Sequence, residues 1–100
     1  MRVLVIGNGH VGSWLSCTLA RRGASVVLKR SPRPLPLAHA AVYRDARVET
    51  TPVLQREHVA GLDLLFVTTK TYGHALVAKE LAAAPAAVEP RIATVLCHNG

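Results

Sequence analysis

Val3-Leu4-Val5-Ile6-Gly7-Asn8-Gly9-His10-Val11-Gly12 decides the fold of this chain. Four apolar residues in a row, three of them β-branched, read as a strand buried on both faces. The glycines that follow are spaced G-x-G-x-x-G and open onto a helical pattern. In that spacing Gly7 permits a tight turn, Gly9 lets the backbone approach a pyrophosphate, and Gly12 lets the helix pack close to the strand. The free N–H groups and positive dipole end of the helix then face the anion. A glycine pattern alone is weak evidence. Its place between a strand and a helix makes it a dinucleotide site built from Gly7, Asn8, Gly9, His10, Val11 and Gly12.

Beyond the glycines, Val11, Leu15 and Leu19 recur at helical spacing beside Thr18 and Arg22, and Trp14 and Cys17 widen the expected apolar face. Gly23 stands where a helix-ending glycine belongs, after Arg21 and Arg22, whose charges suit a helix C-terminus. Ala24 to Leu28 reads as a second buried strand, and a parallel pair joined by a helix crosses over right-handed. The expected fold is α/β, a Rossmann-type, doubly wound and mostly parallel sheet.

The second strand ends in Lys29-Arg30-Ser31-Pro32-Arg33. An NAD site usually has an acid about 20 residues beyond the glycines, accepting from the ribose 2′-hydroxyl. Here that place holds bases and a hydroxyl, the groups that hold a 2′-phosphate. The expected cofactor is therefore NADP, with Arg30 as the principal reader and Lys29 and Ser31 assisting.

One hundred residues allow one small domain, burying roughly 60–65% of its unfolded surface. Met1-Arg2 and the short apolar run before Gly7 do not make a signal peptide, and no apolar stretch is long enough to span a bilayer. Cys17 and Cys97 read as small core residues of a reduced, cytoplasmic protein, with no disulfide and no metal site. The net charge of +6 raises nucleic acid as a partner, but only four aromatic residues are present for stacking on bases. The basic residues have a simpler use at helix ends and at a nucleotide phosphate.

Residues 31–61 carry less signal. Ser31 to Pro36 should be an exposed extended loop. Residues 40–43 and 47–51 read as short strands about the polar turn 44–46, and Leu54 to Ala60 as a short helical turn. His39 and His58 have no partner at metal-ligand spacing and read as surface residues.

Leu64 to Val67 is a central parallel strand, with Thr68, Thr69 and Lys70 at its carboxyl end, where ligands of such sheets bind. Thr71 is placed to cap a helix running to about Ala84. Residues 91–97 form a further strand that delivers His98-Asn99-Gly100 to the same edge.

Three segments together resemble the N-terminal part of ketopantoate reductases: Gly7 to Gly12, Asp63 to Lys70, and Leu96-Cys97-His98-Asn99-Gly100 in place of the family's usual L-x-Q-N-G. The resemblance spans most of the chain outside residues 31–61. Departures are His98 where Gln is usual, His10 where Pro or a small residue is usual, and a short segment between strands. It implies NADPH as cofactor and a small 2-oxo acid as substrate, with ketopantoate reduced to pantoate for pantothenate synthesis. Carried over by position, Lys70 and Asn99 match residues at the cofactor–substrate junction, and Arg30 matches the basic position that reads the 2′-phosphate. The family's second, helical domain supplies a proton-donating lysine and a substrate-binding carboxylate. Neither has a counterpart in residues 1–100, so the expectation is an incomplete dinucleotide-binding domain, inactive alone, with an unpaired apolar edge that favours self-association. Two other readings have the same first domain: another NADP-dependent oxidoreductase, and a non-catalytic nucleotide-sensing domain.

Overall fold

Val3, Leu4, Val5 and Ile6 are all buried, and the strand they form, β1 (Arg2–Ile6), is the centre of the sheet. The computed structural model describes residues 1–69, Lys79 and residues 93–96. In chain order these give β1, α1 (His10–Arg21), β2 (Ser25–Lys29), α2 (Leu37–Ala46), β3 (Glu49–Thr51), α3 (Arg56–Val59), β4 (Leu64–Val67) and β5 (Ala93–Leu96). The sheet order is β3-β2-β1-β4-β5, and every pairing is parallel. This is the doubly wound α/β arrangement that the strand–glycine–helix start predicts. The reversal of strand order falls between β1 and β4, the place where such sheets bind ligands.

Alternate residues of β1 feed two cores, as the two-residue period of a strand requires. Val3 and Val5 join Val26, Leu28 and Val48 beneath Cys17 of α1 and Tyr43 and Ala46 of α2. Leu4 and Ile6 join Leu65, Val67 and Leu62 against Val59 of α3 on the opposite face. Where β1 begins, the Arg2 N–H donates to Asp63 Oδ2 at 2.7 Å and the Asp63 N–H returns to the Arg2 carbonyl at 2.9 Å. That exchange sets the register of β4 against β1.

α1 ends as its sequence predicts. Gly23 has φ +97°, its N–H donates to Ala20 O at 3.0 Å, and the Ala24 N–H donates to Leu19 O at 3.1 Å. This paired closure needs a left-handed residue and so favours glycine.

Three expectations are corrected. Residues 40–43 are not a strand but the middle of α2, and the supposed turn 44–46 is its last turn. Helix formers at Leu37, Ala38, Ala40, Ala41 and Ala46 outweigh the short Val42-Tyr43 signal, and Tyr43 and Ala46 bury one face of the helix. Trp14 does not widen the apolar face of α1; it is 67% exposed. Gly12, Ser16 and Cys17 are the buried positions, because close helix–sheet packing admits only small side chains there. His58 is not a surface residue but 7% exposed. Its Nδ1 accepts the Gln55 N–H at 2.9 Å and its Nε2 lies 3.2 Å from Glu49 Oε2. The helical turn expected between Leu54 and Ala60 is present as α3. His39 is exposed, and Cys17 is a buried free thiol. No helix among the described residues is long and apolar enough to cross a membrane.

Candidate dinucleotide site

The carboxyl ends of β1, β2 and β4 meet at Gly7. Its N–H donates to the Lys29 carbonyl at 3.0 Å, tying the turn to the end of β2. On the other side Thr68, just past β4, donates its N–H to Ile6 O at 2.8 Å. The Thr68 hydroxyl also reaches Ile6 O at 2.9 Å and Gly7 O at 3.0 Å. The turn is held by both neighbouring strands before any ligand arrives.

The three glycines have distinct geometry. Gly7 has φ +109°, a region that L side chains rarely adopt, and a Cβ there would lie 2.6 Å from Thr68 Oγ1. A Cβ on Gly12 would run into the Gly7 carbonyl and come within 2.7 Å of Thr68 Oγ1. Gly9 differs: a Cβ there meets nothing within 4 Å. The protein's own packing does not require glycine at position 9, and the turn is open on that side.

Gly9 is also the N-cap of α1, which begins with no side-chain cap and no acid in its first turn. An uncapped helix start leaves N–H donors and a partial positive charge for an anion. That opening suits an anion in charge.

Beyond β2 the loop is ordered by its own side chains. The Arg30 N–H donates to Thr51 O at 2.9 Å, and Arg30 Nη1 donates to the carbonyls of Ser31 at 3.2 Å and Arg33 at 3.0 Å. Two carbonyls thus hold one nitrogen of the guanidinium, and the rest of the fork can serve a phosphate. The Ser31 N–H donates to Asn8 Oδ1 at 3.1 Å. That bond brings the loop after β2 against the glycine turn, so the two groups of residues read from sequence as one site do lie together.

Gly7, Asn8, Gly9, His10, Val11, Gly12, Lys29, Arg30, Ser31, Thr68 and Thr69 therefore all stand at the carboxyl edge of the sheet. Lys70 and Asn99 lie outside the described residues, as do Thr71 and the expected helix to Ala84. Sequence reading missed Ser13 and Tyr43, whose hydroxyls meet at 2.5 Å beneath the turn. The available signal was the serine in the first helical turn; Tyr43 gave none while its segment read as a strand.

A search among curated proteins finds no match. The family model for ketopantoate reductase PanE/ApbA matches residues 3–100, which includes the glycine turn, the basic loop and both later strands. Over nearly its whole length, then, the chain belongs to the ketopantoate reductase family of oxidoreductases.

Proposed function

We propose that this chain binds NADPH across the glycine turn and serves the reduction of a 2-oxo acid, with ketopantoate as the substrate. The observation that carries the reading is the bond by which Asn8 joins the uncapped start of α1 to the basic Arg30–Ser31 loop. An anion at each end is the signature of a dinucleotide with a 2′-phosphate. Family membership supports the same cofactor.

In this reading the first-turn N–H groups of α1 hold the pyrophosphate, and the open side of Gly9 lets it approach. Arg30 holds the 2′-phosphate, assisted by Ser31 and Lys29. Thr68 keeps the turn in shape through Gly7, and Thr69 lines the edge beside it. Lys70 and Asn99 follow the ends of β4 and β5 in sequence, and by the resemblance they serve the junction where cofactor meets substrate. The bound nicotinamide supplies the hydride; the protein's task is to fix its reactive carbon against a polarised carbonyl.

Calorimetric titration with NADPH and NADH tests this. NADPH should bind more tightly, and Arg30→Ala should weaken NADPH by about 10–100-fold, the loss of a charge-assisted hydrogen bond, while NADH changes little. Equal affinity of the wild-type chain for both cofactors would overturn the cofactor, and an Arg30→Ala chain whose preference for NADPH is undiminished would overturn the role of Arg30.

A further inference from the structure

Tyr43 comes from α2, far in sequence from the glycine turn, yet its hydroxyl lies 2.5 Å from Ser13 Oγ in the first turns of α1. Its ring is 4% exposed and packs in the core beneath α1 and α2. Ser13 Oγ in turn donates to the carbonyl of Asn8 at 3.1 Å. A serine hydroxyl has a single hydrogen. Since that hydrogen goes to Asn8, Tyr43 must be the donor in the shorter bond.

The direction of the chain is therefore fixed: Tyr43 O–H to Ser13 Oγ, then Ser13 O–H to the Asn8 carbonyl. The same Asn8 presents Oδ1 to the Ser31 N–H at 3.1 Å. One residue thus has its peptide fixed from the core while its side chain grips the loop carrying Arg30. Donors in series polarise one another, so the interior tyrosine strengthens the bond at the far end.

We propose that Tyr43 and Ser13 are positioning residues that set the spacing between the pyrophosphate turn and the 2′-phosphate loop, and so determine the preference for NADP over NAD. This rests on the dinucleotide reading above. The reason is geometric. The two phosphate groups of NADP are fixed relative to each other by covalent bonds, so they bind together only when their two sites keep the matching separation. NADH has no 2′-phosphate and loses little when the separation drifts.

The test compares the wild-type chain with Tyr43→Phe, which keeps the buried ring, and Ser13→Ala, which breaks the chain from the surface side. First, without cofactor, NMR measures exchange of the Ser31 amide. Both variants should accelerate it several-fold, and the double variant should add little, because both remove the same chain. Second, the ratio of NADH to NADPH dissociation constants should fall about three- to tenfold in each variant, through NADPH.

Unchanged Ser31 exchange in a folded Tyr43→Phe chain overturns the proposal, whatever happens to the ratio. Faster exchange with an unchanged ratio overturns the selectivity role. Faster exchange in a wild-type and variant pair that bind neither cofactor overturns the dinucleotide reading itself. In that case the hydrogen-bond chain stands and its role in cofactor choice falls.

Discussion

Gly9 and Gly12 share one turn of chain and are glycines for opposite reasons. At Gly12 the constraint is internal, since a methyl group would press on the Gly7 carbonyl and Thr68. Gly12→Ala should destabilise the fold by about 3 kcal/mol, the upper range for overpacking against backbone, and urea unfolding would register it. At Gly9 the backbone has φ −72°, which alanine adopts freely, and no protein atom stands in the way. Gly9→Ala should leave stability within about 1 kcal/mol yet weaken NADPH at least about tenfold, read by the same titration. If Gly9→Ala binds as well as wild type, the open side of the turn is not where the pyrophosphate sits. Both glycines and their separate reasons were legible from spacing alone, but the contact that crowds Gly12 from across the sheet was not. It depends on Thr68, which lies 61 residues from Gly7 in sequence and beside it in space. Thr68→Val, equal in shape but without the hydroxyl, should cost about 1 kcal/mol through the one hydroxyl hydrogen shared between the Ile6 and Gly7 carbonyls.

Among the elements, α1 and α2 end in the same way with different residues. The Arg47 N–H donates to Arg44 O at 3.1 Å and the Val48 N–H to Tyr43 O at 2.8 Å, repeating the closure of α1. Arg47 holds the left-handed position at φ 62° where α1 has glycine. This is why the end of α2 was hidden in the sequence. The usual stop signal is missing, and the strand-like Val42-Tyr43 pair and Arg47 to Thr51 were left to speak for extended structure. Gly23 marked the end of α1 because the residue matched the conformation. Arg47→Gly should relieve the mismatch and stabilise the protein by about 0.5 kcal/mol, the left-handed penalty reduced by glycine's greater freedom when unfolded. The urea midpoint should rise with an unchanged slope. The buried histidine was missed for a similar reason: the partners of His58 are a backbone N–H within its own turn and Glu49 on β3. Neither lies at a spacing that sequence reading associates with histidine.

At the level of the whole molecule, the parallel order places every strand's carboxyl end on one edge, so residues scattered from Gly7 to Thr69 converge there. Periodicity revealed the strands, and the glycine turn revealed which edge mattered. The bond from Ser31 to Asn8 is the part that only three-dimensional packing supplies. Charge acts over the same edge. The chain has twelve Lys and Arg against six Asp and Glu, and Lys29, Arg30 and Arg33 follow one another at the end of β2. A 2′-phosphate adds about two negative charges to the ligand near those residues, as a phosphate monoester does near neutral pH. Its attraction is screened as the Debye length falls from about 10 Å at 0.1 M salt to about 3 Å at 1 M. Added salt should therefore weaken NADPH more than NADH, because in the proposed complex the pyrophosphate common to both meets backbone N–H groups at short range while the 2′-phosphate meets side-chain cations partly open to solvent. The ratio of the two dissociation constants, followed by titration across that salt range, should narrow toward one. A ratio that stays constant would mean that the preference arises from shape alone, and that the basic residues after β2 are a solvated loop and not a phosphate site.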